Sequence, residues 1–222
     1  MNYFSGESPE NYEQKCLCTL VLDVSASMQG SPIKELNEGL KQFHQAILDD
    51  ISASSRLELS VITFGSEVKT VLEPTLVENF EMPNLSVSGL TPLADAIELS
   101  IDKTEERKLW YKETGQPYYR PFIVLITDGE PSPGQDIEGI SKKVRQGVTD
   151  KKFIFWTMGI KGYNHTVLSK ICPPTAPPLP LDGYKFSAFF TWLSNSISII
   201  NKSKEGDQVD LPPVSDWAQI KF

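Results

Sequence analysis

Three continuously apolar runs constrain the fold of this chain more than any other feature. They are LCTLVLDV at residues 17–24, FIVLITDG at residues 122–129 and KFIFWTMGI at residues 152–160. A strand with one face in water alternates apolar and polar residues, whereas an unbroken apolar run is typical of a strand covered on both faces. Each run therefore predicts a buried strand of a parallel sheet.

Amphipathic helical patterns alternate with these strands. Ser31-Pro32 and Thr91-Pro92 each combine a residue suited to an N-cap with a proline suited to the first helical turn, so each pair predicts a helix start. Further helices are predicted at about residues 135–150, 165–171 and 186–201, and residues 57–64 and 67–73, separated by Gly65-Ser66, predict a hairpin.

Together these elements predict an α/β fold. It is a doubly wound, mostly parallel central sheet with one antiparallel edge strand and with helices on both faces. We expect residues 1–15 to form an N-terminal extension, residues 16–202 the domain, and residues 203–222 a polar C-terminal tail. In such sheets, ligands bind at the carboxyl ends of the strands.

Charge and cysteine content narrow the function. The formal net charge is -8, the pI is about 4.9, and no basic run exceeds two residues, which argues against nucleic-acid binding. No apolar segment has the length of a membrane span, and no signal-peptide pattern precedes Cys16. Three cysteines do not make a disulfide framework, so we expect a cytoplasmic protein.

Oxygen-bearing side chains converge on one edge of the predicted sheet. Asp23 ends the first strand, Ser25 and Ser27 follow it, Asp128 ends another strand, and Thr91 begins a helix at the same edge. Hydroxyl and carboxylate oxygens suit hard cations, and the small number of carboxylates leaves the metal incompletely neutralised. The sequence therefore predicts one divalent cation, Mg²⁺ first, with Mn²⁺ or Ca²⁺ as alternatives, which still attracts an anionic ligand.

The motifs DVSAS at residues 23–27, GLTPLADAI around Thr91 and ITDGEP around Asp128 resemble the metal-ion-dependent adhesion site of von Willebrand factor A domains. The resemblance implies that Ser25 and Ser27 bind the metal directly and that Thr91 binds or withdraws as the domain changes state. It also implies that Asp23 and Asp128 act as inner ligands or through water, and that a protein partner supplies a Glu or Asp to the metal.

A narrower resemblance is to the bacterial tellurite-resistance TerY group of stand-alone A domains. It rests on DVSASM followed by a proline-started helix, on ITDGEPSPG, and on the final helix around residues 186–197. It implies a non-enzymatic adaptor in a stress-response module, with a protein kinase-like protein and a protein phosphatase as partners.

Other interpretations of the same residues remain open at this level. Asp23 at a strand end suits a Mg²⁺-dependent phosphate-ester hydrolase, but such enzymes need a second carboxylate where Ser25 stands. A mainly structural subunit is another alternative, and each site residue has a simpler explanation as a turn or cap residue. Cys16, Cys18, Cys172 and His165 form a weaker zinc-ligand candidate.

Several segments are candidate contact surfaces. The loops at the metal edge, residues 28–30, 130–134, 161–164 and 182–184, are favoured because binding residues concentrate on loops. The proline-rich residues 173–180 suit either a surface connection or a polyproline helix that binds an aromatic groove. The aromatic residues 110–119 suit either a second contact surface or a cover for the opposite sheet edge.

Overall fold

The computed structural model describes residues 8–160, 162–181, 185–202 and 212–213. Its centre is a six-stranded sheet in the order β3-β2-β1-β4-β5-β6. All neighbouring strands are parallel except β2 and β3, which are antiparallel and form the predicted hairpin. The strands are β1 (Cys16–Asp23), β2 (Leu57–Phe64), β3 (Val68–Leu76), β4 (Phe122–Thr127), β5 (Ile154–Gly159) and β6 (Leu179–Pro180).

Helices cover both faces of the sheet, as the alternation of strand and helix patterns predicts. The helices are α1 (Ser31–Leu48), α2 (Ile51–Ser54), α3 (Leu93–Thr114), α4 (Ile137–Thr149), α5 (His165–Ile171) and α6 (Phe186–Lys202). Helices α1 and α6 pack together on one face, while apolar residues of α3, α4 and α5 lie in the core of the other. The doubly wound fold class is thus confirmed.

Strand β1 shows why the apolar runs are unbroken. All eight of its residues are buried, and successive side chains point to opposite faces. Leu20 and Leu22 join the core under α1 and α6, whereas Val21 joins the core under α3, α4 and α5. Two separate cores therefore favour apolar residues along most of the central strand, with Thr19 and Asp23 as its buried polar residues.

A buried ion pair fixes the amino edge of the sheet. Glu58 on β2 accepts hydrogen bonds from Arg107 Nε at 2.7 Å, from Arg107 Nη2 at 2.9 Å and from the Tyr111 hydroxyl at 2.6 Å. The guanidinium carbon of Arg107 also lies 3.9 Å from the centroid of the Trp110 ring. Trp110 and Tyr111 are buried against Leu17, so the aromatic segment covers this edge of the sheet and these two rings offer no exposed contact surface.

Some predicted element boundaries were wrong by one or more residues. The backbone of Gly30, with φ of 94°, serves as the N-cap of α1, and Ser31 is its first helical residue. Helix α1 ends at Leu48, and a separate short helix begins at Ile51. The Ile51 residue has 85% of its surface exposed. Strand β4 ends at Thr127, so Asp128 is the first residue beyond it.

Burial in the core accounts for the positions of Cys16 and Cys18 without a bound metal. Cys16 and Cys18 lie inside β1, and desolvation raises the pKa of Cys16 to about 12 and that of Cys18 well above its usual value. In the described part of the chain, no group of three or more His, Cys, Asp or Glu side chains is arranged so that it could hold a metal ion. The zinc hypothesis therefore finds no support, and these thiols act as small core residues.

None of the helices in the described part of the chain has the length and apolarity that a membrane crossing requires.

The Glu58–Arg107 pair yields a stability prediction. Replacing Glu58 by Gln leaves the guanidinium buried without its counter-charge, so we expect the free energy of unfolding in urea to fall by about 3 kcal/mol. The control is Glu13→Gln, which removes the partner of Arg56 in a pair where the Glu13 side chain is 51% exposed. That change should cost less than about 1 kcal/mol. Equal losses in the two variants would contradict a special role for the buried pair.

Candidate functional site

The loop after β1 brings three of the predicted site residues into contact. The amide of Ser25 donates to Asp23 Oδ1 at 2.9 Å, and the hydroxyl oxygens of Ser25 and Ser27 lie 2.9 Å apart. Asp23 and Ser25 are buried, whereas Ser27 is exposed. The two serine hydroxyls thus form an oxygen pair that reaches from the buried carboxylate toward the surface.

Pairing of β1 with β4 brings Asp128 to the same place. The two strands are parallel and their register pairs Leu22 with Ile126, so the next residues, Asp23 and Thr127, lie side by side at the carboxyl edge. The Thr127 hydroxyl donates to Asp23 Oδ2 at 2.6 Å. Asp128 follows directly and is near enough for its charge to raise the pKa of Asp23.

Thr91 lies between the two loops that carry the carboxylates. Just before it, the Ala26 amide donates to the Gly89 carbonyl at 3.1 Å, which ties this segment to the β1 loop. The Thr91 amide donates to Ser132 Oγ at 2.9 Å, and the Ser132 amide donates to the Thr91 carbonyl at 3.0 Å. Within the described residues, the Thr91 hydroxyl itself makes no hydrogen bond to Asp23, Ser25, Ser27 or Asp128.

The prediction that Thr91 caps the next helix was wrong. Helix α3 begins at Leu93 and has no side-chain cap from its own N-terminal residues. Instead, Gln135 Oε1 accepts from the amides of Ala94 at 2.7 Å and Asp95 at 3.2 Å, so a residue from the loop after β4 satisfies the first turn. Because Gln135 takes the capping role, the side chain of Thr91 is not needed for it.

Electrostatics at the site favour a cation. Burial raises the pKa of Asp23 to about 6, hydrogen bonds from Ser25 and Thr127 oppose the rise, and the charge of Asp128 adds to it. Two carboxylates near each other with hydroxyl groups beside them form an oxygen-only donor set. The residues present therefore fit a hard divalent cation, which would offset the repulsion between the carboxylates.

Thr127 and Ser132 are positioning residues that the sequence patterns did not indicate. Thr127 lies on the β4 face that carries Ile123 and Leu125, the same face of the sheet as Val21. The alternation of side chains along β4 predicts which face of the sheet Thr127 occupies. Only the register between β1 and β4 shows that Thr127 lies beside Asp23. Ser132 lies within the loop at residues 130–134, which the sequence indicated as a contact surface without indicating its bond to Thr91.

In the described part of the chain, neither histidine side chain hydrogen-bonds to a predicted site residue. His44 is half-buried, its Nε2 lies 2.9 Å from the Val77 carbonyl oxygen, and its ring stacks on Phe80. His165 is exposed at the start of α5.

Comparison with known proteins places this open α/β sheet in one family. The family model for the von Willebrand factor type A domain matches residues 19–190, which is most of the chain. The chain belongs to the von Willebrand factor type A domain family. Domains of this family commonly mediate metal-dependent protein interactions.

Curated relatives are similar over this domain alone. Inter-alpha-trypsin inhibitor heavy chain H1 from Mesocricetus auratus is 28% identical over 167 residues, which cover 71% of this chain and 17% of that protein. The chain therefore spans less than a fifth of the length of this relative.

Solved structures share the fold at low sequence identity. Proximal thread matrix protein 1 from the mussel byssus, solved with a zinc-occupied metal-ion-dependent adhesion site, has a TM-score of 0.55 at 17% identity and covers 84% of this chain and 48% of its own. The manganese-loaded TRAP protein of Plasmodium vivax has a TM-score of 0.51 at 18% identity, covering 82% of this chain and 74% of its own.

Gly129 offers a test of how the Asp128 loop is held. Its φ is +72°, its amide donates to Thr127 Oγ1 at 2.9 Å, and an added Cβ would lie 2.7 Å from Leu168 Cγ. We expect Gly129→Ala to lower the free energy of unfolding by about 2–4 kcal/mol, from backbone strain and overpacking together.

The matched control for this change is Gly115→Ala. Gly115 has a similar φ of +70°, but an added Cβ would meet nothing within 4 Å. Strain alone should then cost about 1 kcal/mol in the same urea titration. If both variants lose the same stability, the close packing of Gly129 on Leu168 does not constrain this loop.

Proposed function

We propose that this domain binds a protein partner through one divalent cation held at the carboxyl edge of the sheet. The observation that carries the proposal is the contact between the Ser25 and Ser27 hydroxyls, 2.9 Å apart, directly beside the buried Asp23 carboxylate. Neither turn formation nor helix capping requires two serine hydroxyls to meet there. A cation gives this arrangement a chemical role.

The proposed ligand set is Asp23, Ser25, Ser27, Thr91 and Asp128. Ser25 and Ser27 would bind the cation directly, Thr91 would bind or withdraw, and the two aspartates would act as ligands or hold bound water. When bound, the cation supplies a Lewis-acidic centre with residual positive charge, to which a Glu or Asp of the partner adds. Thr127 keeps the Asp23 carboxylate oriented, in the way that outer partners orient metal ligands.

Mg²⁺ is the cation we propose, with Mn²⁺ and Ca²⁺ as alternatives. The oxygen-only donor set supports a hard cation over the softer metals that sulfur and imidazole prefer. Two solved structures with the same fold, described above, contain zinc and manganese. Their metal content supports a divalent-cation site in this chain.

The loops at the same edge are the proposed protein-binding face. Gln29, Gly30 and Glu130 are exposed there, and Leu90, beside Thr91, has 64% of its surface exposed. An exposed leucine next to a cation would add apolar contact area to a charged anchor. Residues 161 and 182–184, which the sequence analysis also indicated as contact residues, lie outside the described residues.

For the biological setting, we propose a cytoplasmic adaptor of a bacterial tellurite or stress-response module. The support is the resemblance of DVSASM, ITDGEPSPG and the final helix to the TerY group. The proposed partners are a protein kinase-like protein and a protein phosphatase. We also propose residues 16–202 as the functional domain, with residues 1–15 and 203–222 as extensions.

We propose a non-enzymatic role over phosphate-ester hydrolysis. Both carboxylate oxygens of Asp23 accept hydrogen bonds, from the Ser25 amide and from the Thr127 hydroxyl, and the residue has no exposed surface. A nucleophilic aspartate must reach a substrate phosphorus, and a second carboxylate for acid catalysis is replaced by Ser25. Hydrolysis of a phosphate ester that is abolished by Asp23→Asn would contradict this view.

Calorimetric titration with Mg²⁺ and Mn²⁺ tests the metal site. We expect Ser25→Ala/Ser27→Ala to weaken binding at least about tenfold, because both direct hydroxyl ligands are lost. Thr127→Val should weaken binding by about tenfold, and Thr127→Ser should restore it, since serine keeps the donor to Asp23. Ser52→Ala/Ser55→Ala, in and beside α2 at the amino edge, is the matched double-serine control. Unchanged uptake in the Ser25/Ser27 variant would show that the site is assigned wrongly.

Affinity capture from the native host tests partner binding. We expect a partner that is retained by the wild-type chain and by the Ser52/Ser55 control, and lost with the Ser25/Ser27 variant or on addition of EDTA. Retention that EDTA does not change would refute cation-dependent binding. Recovery of partners other than a kinase-like protein or a phosphatase would contradict the stress-response assignment alone.

A further inference from the structure

A row of aromatic side chains crosses the outer part of the sheet, on the face covered by α6. Phe122 on β4 and Trp156 on β5 have ring centroids 5.2 Å apart, and Trp156 and Trp192 on α6 are also 5.2 Å apart. Phe189 continues the row, with its ring 6.2 Å from Trp192 and nearly parallel to it. Trp156 is only partly buried, so the row reaches the surface.

The polar end of this row contacts the C-terminal region. The indole Nε1 of Trp192 donates to the carbonyl oxygen of Pro212 at 2.7 Å. Trp192 is 7% exposed, Pro212 is half-buried and Pro213 is exposed. A buried indole N–H is stabilised by an acceptor, and here a residue twenty positions later in the chain supplies one.

The chemistry of this contact suits proline. Proline has no amide hydrogen to leave unsatisfied, and Pro213 restricts Pro212 to extended backbone, in which no helical hydrogen bond occupies the carbonyl. Aromatic grooves that recognise proline-rich segments use the same elements, namely flat rings for the pyrrolidines and a side-chain donor for a carbonyl. Tryptophan supplies both, because its indole nitrogen donates and does not accept.

We propose that Trp192 and the partly exposed Trp156, backed by the buried rings of Phe122 and Phe189, form a docking surface for an extended proline segment. Its occupant is the Pro212-Pro213 pair of this same chain. This inference is independent of the cation site, which lies at the carboxyl edge.

Chain length permits the contact within one molecule. Trp192 lies ten residues before the end of α6 at Lys202, or about 15 Å along the helix axis. The ten residues from Lys202 to Pro212 can span up to about 33 Å. A short tether gives an effective concentration on the order of 1 mM, so a separate proline peptide must approach that concentration to compete.

Nuclear magnetic resonance of the full chain, with its four tryptophans labelled with ¹⁵N in the indole, tests the docking. Trp192→Phe keeps an aromatic ring at this position, removes the indole donor and assigns the Trp192 signal. In Pro212→Gly/Pro213→Gly, we expect hydrogen exchange at Trp192 Nε1 to accelerate at least threefold and its chemical shift to move. The control Pro133→Gly/Pro177→Gly changes two exposed prolines elsewhere and should leave this signal unaltered. Unaltered exchange in the Pro212/Pro213 variant would overturn the proposal.

A peptide experiment and a dilution series complete the test. A synthetic peptide of residues 206–217, added at about 1 mM, should restore the Trp192 shift in the Pro212/Pro213 variant and change the wild-type signal less. Failure to restore it would show that the aromatic row is not a docking surface. Protection that disappears on dilution from 500 to about 10 µM would place the occupant in a second copy and overturn the intramolecular assignment.

Tryptic cleavage after Lys202 and Lys204 provides a readout that does not depend on the indole signal. We expect Trp192→Phe to accelerate this cleavage several-fold. Trp110→Phe is the matched control, because the Trp110 indole nitrogen is buried and has no hydrogen-bond partner in the described part of the structure. Equal cleavage rates in the two variants would count against docking, and unchanged circular dichroism establishes that both variants fold.

Discussion

The carboxylate of Asp23 has no exposed surface, and the carboxyl edge of the sheet is arranged around it. A charged group taken out of water is costly unless hydrogen bonds or an opposite charge compensate. The Ser25 amide and the Thr127 hydroxyl provide two of these interactions, while Asp128 opposes them by repulsion. The β1 loop, the end of β4 and the β1/β4 register therefore all depend on satisfying one carboxylate, and a divalent cation would complete the compensation.

The site combines this buried anchor with exposed groups. Ser25 is buried and Ser27 is exposed, so the hydroxyl pair leads from the core to the surface. Thr91 is held by backbone bonds to Ser132 and, through Gly89, to the β1 loop. Hydrogen bonds therefore join the three loops at one edge of the sheet.

Many features of the fold were predictable because they depend on local patterns of apolar and polar residues. Unbroken apolar runs gave the buried strands, and the β2–β3 hairpin and the fold class are confirmed by the sheet order. One error arose where a distant residue took over a local role, because Gln135 caps α3 in place of Thr91. For the aromatic segment two roles were open, and the burial of Trp110 and Tyr111 agrees with a cover of the amino edge. Neither the cap nor the burial is encoded by sequence spacing.

By itself, the sequence determined which residue types stand at the strand ends, and hence an oxygen-rich edge on a parallel sheet. Alternation of apolar and helical patterns is enough for that conclusion, because the carboxyl ends of parallel strands share one edge. Only the tertiary structure decided that Thr127 faces Asp23, that Ser132 holds Thr91, and that Pro212 meets Trp192. Each of these contacts joins residues from separate segments of the chain, and its geometry depends on strand register and helix packing, which no local pattern specifies.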